Sequence, residues 1–401
     1  MKVEREKAKE IILSKARKLP WEYKTLNECY FRTLAQDVRA EEELPNANLS
    51  AIDGFALRSE ETKERRKFKV VGEVGAGQEP DFTLGEGECA FVMTGAIVPK
   101  GADAAVRVED AEYDEEKREV TIKGPVERGE LINFAGSEVR KGELLLREGQ
   151  VLTPRRVALL AHAGIYRVKV FQKPKVAVIT TGNEVLEPYQ PGFPGAVRNT
   201  NFYLLKGLLE EAGAEVVYLG TAPDDREETV RLLREACKKA DAVVTTGGVS
   251  KGKYDFVKDA VEKAGFQVAF TSTNVRPGRP LVFGTNGEVA FFGLPGYPTA
   301  TLVNALEFLL PFVRKVAGRR DYENNYVTAV AKEPLRAREG RVDFVRVKIE
   351  VESGTVTVRN GGSQKTAFFK SAALCDGFAV IGADRGTVKE GELVEVLPLN
   401  L

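Results

Sequence analysis

Residues 175–318 alternate short apolar runs with longer amphipathic stretches, and this alternation restricts the fold more than any other feature of the chain. KVAVITTG, EVVYLGTA, AVVTT, VAFTST, PLVFGT and VAFFGL have the length and content of strands. NTNFYLLKGLLEEAGA, DREETVRLLREACKKA, FVKDAVEKA and TATLVNALEFLLPFVRKVA have helical spacing. Strands alternating with helices predict a mostly parallel sheet covered by helices on both faces. In such a sheet the loops at the carboxyl ends of the strands share one rim, where open α/β sheets bind ligands.

The run AVVTTGGVSKGKYDFVK at 242–258 passes from a buried strand directly into a polar, glycine-rich loop. Gly247 and Gly248 allow backbone conformations that a β-carbon forbids. A glycine pair alone is explained by a turn that binds nothing. Ser250 and Asp255 in the same loop, with several backbone N–H groups, suit a metal-bridged phosphate better than a plain turn. Gly247, Gly252 and Lys253 also satisfy the G-x-x-x-x-G-K spacing, but Tyr254 stands where a nucleotide-binding P-loop needs Ser or Thr, which argues against that motif.

Four further polar clusters fall at or near strand ends: Thr180, Thr181, Gly182, Asn183 and Glu184; Asp224 and Asp225; Arg276, Pro277, Gly278 and Arg279; and Gly293 to Pro298, which includes Pro295, Gly296 and Tyr297. Their convergence predicts a ligand cleft. Glu184, Asp224 and Asp255 offer hard oxygen ligands for a divalent cation, while the two arginines and the loop amides offer anion contacts. Carboxylates beside phosphates repel each other, and magnesium resolves that conflict.

Composition narrows the chemistry. The 59 basic and 59 acidic residues cancel, so no polyanion-binding surface is expected and nucleic acid is not a predicted partner. No apolar run approaches a membrane span, and MKVEREKAKE lacks the apolar core of a signal peptide, so the expected location is cytoplasmic, without a membrane partner. Cys29, Cys89, Cys237 and Cys375 are scattered singly rather than in zinc or disulfide spacings. His162 is the one histidine and sits near the end of an apolar helix, where it suits the helix dipole. Catalysis must therefore rest on carboxylates, hydroxyls, amides, Lys, Arg and any metal.

The flanking regions read as β-rich. Residues 3–18 form a charged amphipathic helix, LPNANLSAIDGFALRS is rich in turn formers, and Asp53-Gly54 suits a tight hairpin turn. From 68 to 134, FKVVGEV, CAFVMTGAIV, AAVRVEDAEY and EVTIKGPV describe a β domain, with Thr94, Gly95 and Ala96 in a small-residue patch. A helix beginning at Pro154 follows. After Arg320 the runs YVTAVAKEPL, VDFVRVKIEVESGTVTVRN, GFAVIG and LVEVLPL predict a small barrel or sandwich. The fold class is thus multidomain α/β: an extended domain from both flanks (1–44 and 135–170), an inserted β domain (45–134), a central mostly parallel α/β domain (171–318) and a C-terminal β-barrel (319–401).

At these residues the chain resembles the MoeA family, the molybdopterin molybdenumtransferases, which includes the E domain of gephyrin. SAIDGFA is similar to that family's SAMDGYA, MTGAIVPKGAD to TGAxxPxGAD, TTGNEV to STGDEL, TTGGVSKGKYDFVK to SSGGVSxGxxDxxK, and LPGYPTA to LPGNPVSA. The resemblance covers almost the whole chain. It implies a MogA-like central domain, a homodimer of elongated four-domain subunits with dimerisation assigned to the extended domain (1–44 and 135–170), and a reaction in which adenylylated molybdopterin and molybdate or tungstate give molybdenum cofactor and AMP with magnesium. It also implies a MogA/MoaB-type adenylyltransferase as upstream partner. Carried over by position, Glu184, Asp224 and Asp255 match acidic active-site residues, and Asp53 and Thr94 match residues of a β domain that faces the partner subunit's cleft. Thr181, Gly182, Gly247, Gly248, Ser250, Gly252, Arg276, Arg279, Pro295, Gly296 and Pro298 fall on the expected substrate loops. Four departures stand out: Tyr297 for Asn, Asn183 for Asp, Glu138 for Asp, and Arg276 and Arg279 for the Lys pair of KPGKP. Arginine keeps the charge and adds bidentate phosphate geometry. The competing expectations are a gephyrin-like scaffold and a molybdopterin- or nucleotide-binding relative without the metal-insertion step.

Overall fold

The computed structural model describes residues 1–248 and 254–399, with the backbone alone over 254–258. The chain divides into two compact units, one of residues 1–36, 148–153 and 168–401, the other of 37–147 and 154–167.

The first unit holds a seven-stranded sheet. In chain order its elements are β1 (Lys2–Val3), α1 (Arg5–Ser14), β2 (Lys175–Thr181), α2 (Thr200–Glu211), β3 (Glu215–Ala222), α3 (Arg226–Cys237), β4 (Ala242–Thr246), α4 (Tyr254–Lys263), β5 (Gln267–Thr273), β6 (Pro280–Thr285), β7 (Ala290–Leu294), α5 (Pro298–Asn304) and α6 (Leu310–Val316). The strands lie in the order β1-β5-β6-β7-β4-β2-β3. All pairings are parallel except those of β6, which runs antiparallel to both neighbours. Side-chain alternation explains the two helical layers. Val176, Val178, Val244 and Phe292 point into a core with Leu205 and Leu209 of α2 and Val313 of α6. Ala177, Ile179, Val243 and Phe291 point into a second core with Leu232 and Leu233 of α3 and Val261 of α4.

The amino terminus departs from the sequence pattern. Residues 1–44 were expected to group with 135–170, but Lys2 and Val3 pair in parallel with Ser272 and Thr273, adding an edge strand to the central sheet. The helix that follows is shorter than the 3–18 pattern suggests, and it buries Ala8 and Ile12 in the first core. It is fastened by an ion cluster. The Arg5 Nε lies 2.7 Å and the Lys9 Nζ 3.5 Å from the fully buried Glu307, which also accepts a 2.8 Å bond from the Tyr326 hydroxyl. Glu307 lies in a five-residue π-helical segment, Ala305–Leu309, between α5 and α6. Pro311 has no N–H and its ring crowds the carbonyl four residues earlier, and a widened turn just before it accommodates that conflict.

The carboxyl-terminal part of this unit is a closed five-stranded barrel in the order Val342–Glu352, Thr355–Asn360, Val327–Ala331, Leu393–Pro398, Gly377–Ile381, with the last strand pairing back onto the first. A sixth short strand, Val275–Arg276, adds in parallel to Val342 and Asp343.

The second unit contains a six-stranded sheet in the order Ala104–Arg107, Gly54–Leu57, Glu88–Val92, Lys67–Val74, Glu119–Ile122, Ala111–Asp114. The hairpin turn expected at Asp53-Gly54 is absent: Gly54 instead opens a strand. A β-carbon there would lie 2.0 Å from the Val106 carbonyl oxygen, so the glycine serves close strand approach. His162 ends a helix over Pro154–His162, and its Nε2 lies 3.2 Å from a Glu138 carboxylate oxygen.

Removing the Glu307 carboxylate leaves Arg5 and Lys9 without their buried counter-charge. Glu307→Ala is expected to lower unfolding free energy by about 3–5 kcal/mol. Denaturant titration checks this, and pairing the change with Arg5→Met should recover much of the loss.

Candidate functional site

The carboxyl ends of the parallel strands are aligned by register. Thr180 sits beside Thr246, Thr246 beside Leu294, and Thr181 beside Ala222. The chain leaves the sheet at each of these points, so the loops 182–184, 223–225, 247–248 and 295–297 start from one line. They enclose a cleft of about 1160 Å³.

The floor is glycine backbone held by hydroxyls and carbonyls. Thr181 donates its hydroxyl to the Thr246 carbonyl at 3.1 Å, and the Gly247 N–H bonds to the Leu294 carbonyl at 3.0 Å. Gly247 has φ +94, and a β-carbon there would meet Thr181 Oγ1 at 2.8 Å and the Thr181 carbonyl oxygen at 2.9 Å. Gly182 has φ +128, and its missing β-carbon would lie 2.6 Å from a Glu184 carboxylate oxygen. Both positions favour glycine for backbone angle, and Gly247 requires it for space as well, since the Thr181 carbonyl cannot move aside as the Glu184 side chain can. Thr301 and Asn201 hold the opposite wall, donating to the Pro295 carbonyl at 2.6 Å and to the Gly296 carbonyl at 2.9 Å.

The charged groups lie around this floor. Glu184 and Asp224 line the cleft and are exposed. Asn183 Oδ1 accepts the Asp224 backbone N–H at 3.2 Å, tying the two acidic loops together. Arg276 and Arg279 line the same cleft, both exposed, on either side of the buried Pro277 and Gly278. Thr366, Ala367 and Phe369, which follow a barrel strand, complete the wall. Two carboxylates and two guanidinium groups therefore face one space, a donor set that suits a divalent cation beside an anion.

Of the sequence-predicted residues, Thr181, Gly182, Glu184, Asp224, Gly247, Gly248, Arg276, Arg279, Pro295, Gly296 and Pro298 line this single cleft. Ser250 and Gly252 lie outside the described residues. Asp255 falls in the first turn of α4, which begins at Tyr254, and its side chain is outside the described residues. Among the described residues no three His, Cys, Asp or Glu side chains cluster as a metal site. Asp53 and Thr94 belong to the second unit, where Asp53 Oδ1 accepts the Thr94 N–H at 2.6 Å and its hydroxyl at 2.9 Å. Those two bonds hold the Asp53 carboxyl below the usual carboxylate range.

Several lining residues escape sequence reasoning. Asn199 is buried, caps α2 through the Phe202 N–H at 3.2 Å and faces the cleft. Its position before an apolar helix was a capping signal, and Asn201 shares that short polar run. Tyr297 occupies the N-cap of α5 without a side-chain cap bond and is 59% exposed. The expected Asn would cap there, whereas Pro298 at the first helical position lacks an N–H to satisfy.

Three family models match the chain in sequence: the MoeA N-terminal region (domains I and II) over residues 3–164, a probable molybdopterin binding domain over 177–315, and the MoeA C-terminal region (domain IV) over 328–399. A molybdopterin molybdenumtransferase of Haemophilus influenzae is 33% identical over 381 residues, 94% of each chain. One from Bacillus subtilis is 33% identical over 384 residues, 94% of this chain and 89% of its own. The crystal structure of a molybdopterin biosynthesis MoeA protein from Pyrococcus horikoshii OT3 has a TM-score of 0.85 at 29% identity, covering 100% of both chains.

Asp225, rather than Asp224, caps α3, accepting the Glu228 N–H at 2.8 Å. Asp225→Ala is therefore expected to lower stability by about 0.5–2 kcal/mol while leaving ligand binding in the cleft unchanged. Thermal melts beside AMP titration check both parts.

Proposed function

The chain belongs to the MoeA family, the molybdopterin molybdenumtransferases of molybdenum cofactor biosynthesis, and from that premise we propose that its cleft exchanges the adenylate of adenylylated molybdopterin for a metal oxyanion, molybdate or tungstate, releasing AMP. The observation that carries this reading is the pairing of Arg276 and Arg279 with Glu184 and Asp224 around one glycine-lined floor. A pyrophosphate needs positive groups at its oxygens, and the two arginines supply them with fixed planar donors. The glycine backbone at 182 and 247–248 accepts close approach because no β-carbon intervenes.

Glu184 and Asp224 are hard donors that suit magnesium and would hold it together with Asp255, which the sequence match assigns, and when bound it would supply charge neutralisation on the phosphates. The chain's own residues then orient the phosphates and keep the two acidic groups from repelling them. Ser250 and Gly252 are assigned to the phosphates by their sequence match alone, while Pro295, Gly296 and Pro298 shape the opposite wall for the pterin side. A histidine base is not required, because phosphoanhydride cleavage depends on positioning and charge.

The protein acts as a cytoplasmic homodimer in this reading, supplied by a MogA/MoaB-type adenylyltransferase. Its domains are 45–134, 171–318 with the β1 strand and α1 helix added to it, and 319–401, and the dimerisation domain is drawn from 135–170 and the part of 1–44 that follows α1. The β domain of a second copy, with its Asp53 and Thr94, closes over the cleft.

Three experiments test this. Arg276→Ala should weaken AMP binding by about 1.5–3 kcal/mol in calorimetry, and an unchanged isotherm would remove it from the site. Asp224→Ala and Asp255→Ala should each remove most magnesium-dependent AMP release, with the double variant little worse than the poorer single. Additive losses would separate their roles. Mixing inactive Asp53→Ala with inactive Asp224→Ala subunits should restore about a quarter of wild-type turnover through mixed dimers, because each then holds one intact site. No recovery after subunit exchange would show that the cleft is complete within one chain.

A further inference from the structure

Arg279 is held by backbone on both sides, and one buried side chain supplies the hold. Asn304, the last residue of α5, is fully buried. Its Nδ2 donates to the Gly278 carbonyl at 3.0 Å and to the Pro280 carbonyl at 3.2 Å. These carbonyls belong to the residues immediately before and after Arg279. The turn is further closed by the Thr273 N–H, which bonds to the Arg279 carbonyl at 2.9 Å.

The fit around this amide is tight. Gly278 has φ +113, and a β-carbon there would lie 2.9 Å from Asn304 Oδ1 and 3.0 Å from its Nδ2. Asn304 Oδ1 itself is buried with no hydrogen-bond partner. A buried amide oxygen without a partner carries a desolvation penalty, so a residue chosen for stability alone would be apolar here. What the amide provides is a pair of donors at the two carbonyls that flank a cleft arginine.

We infer that Asn304 is a positioning residue for anion binding: it fixes the backbone on either side of Arg279 so that the guanidinium faces the cleft. It touches no ligand and acts through Arg279 alone. Arg276 is held differently, by the pairing of Val275–Arg276 with Val342 and Asp343 of the barrel. The two arginines are thus fixed by separate devices, one in the helix layer and one in the barrel.

The inference rests on the proposed phosphate role of the arginines, and the test keeps the two apart. AMP affinity is measured by calorimetry on the full chain for Arg279→Ala, Asn304→Asp and the double variant. Asn304→Ala serves as a second substitution and Leu302→Ala as a control. Asn304→Asp keeps the shape and removes the paired amide hydrogens. Leu302 is buried in the same helix and makes no bond to the turn, so its loss tests for general destabilisation. Asn304→Asp and Asn304→Ala are expected to weaken AMP binding about tenfold, and the Asp change to have little further effect once Arg279 is already alanine. Leu302→Ala should lower the melting temperature while keeping AMP affinity within about twofold. Full additivity of Asn304→Asp with Arg279→Ala, or wild-type affinity in both Asn304 variants, would overturn the positioning role while leaving the arginine reading intact. Wild-type affinity in Arg279→Ala would overturn both.

Discussion

Parallel pairing in register is the constraint on which the site depends. Because β2, β4 and β7 run the same way and Thr180, Thr246 and Leu294 are neighbours across them, three loops leave the sheet side by side. A slip of one residue in any pairing would turn each strand's side chains to the other face, exchanging Val178 and Val244 of one core for Ile179 and Val243 of the other. The two apolar cores therefore hold the register, and the register places the glycine turns. Binding geometry at the rim is a by-product of hydrophobic sorting in the sheet beneath it.

The antiparallel strand β6 has a distinct consequence. Reversing direction there creates the turn from Thr273 to Arg279, which brings both arginines to the same cleft as the carboxylates of the parallel loops. The turn would be an exposed excursion without support, and it is supported from two directions by Asn304 and by strand addition to the barrel. The arginines and the carboxylates that line the cleft thus come from topologically different kinds of connection.

Much of this was legible in the sequence, for a physical reason. Strand–helix alternation in 175–318 encodes burial on two faces, and glycines at strand ends mark where the chain needs positive φ or close approach, so the rim loops could be placed from the sequence. Long-range pairings leave no local trace. Val3 reads as the start of a charged helix, yet Lys2 and Val3 pair with Ser272 and Thr273. Asp53-Gly54 carries the composition of a turn, and the glycine is needed because a neighbouring strand passes close. Asn304 is a buried amide in a mostly apolar helix, and only the fold shows which carbonyls it meets. The π-helical segment is likewise hidden, since Pro311 signals a kink but not how the helix absorbs it.

The central claim is that the cleft couples loss of adenylate to arrival of a metal oxyanion. The direct measurement is AMP released from adenylylated molybdopterin by the purified protein with magnesium, followed with and without molybdate or tungstate, alongside the metal retained in the pterin product. The account predicts release that requires the oxyanion and matches the metal incorporated mole for mole. AMP released at the same rate without either oxyanion, with no metal in the product, would contradict it.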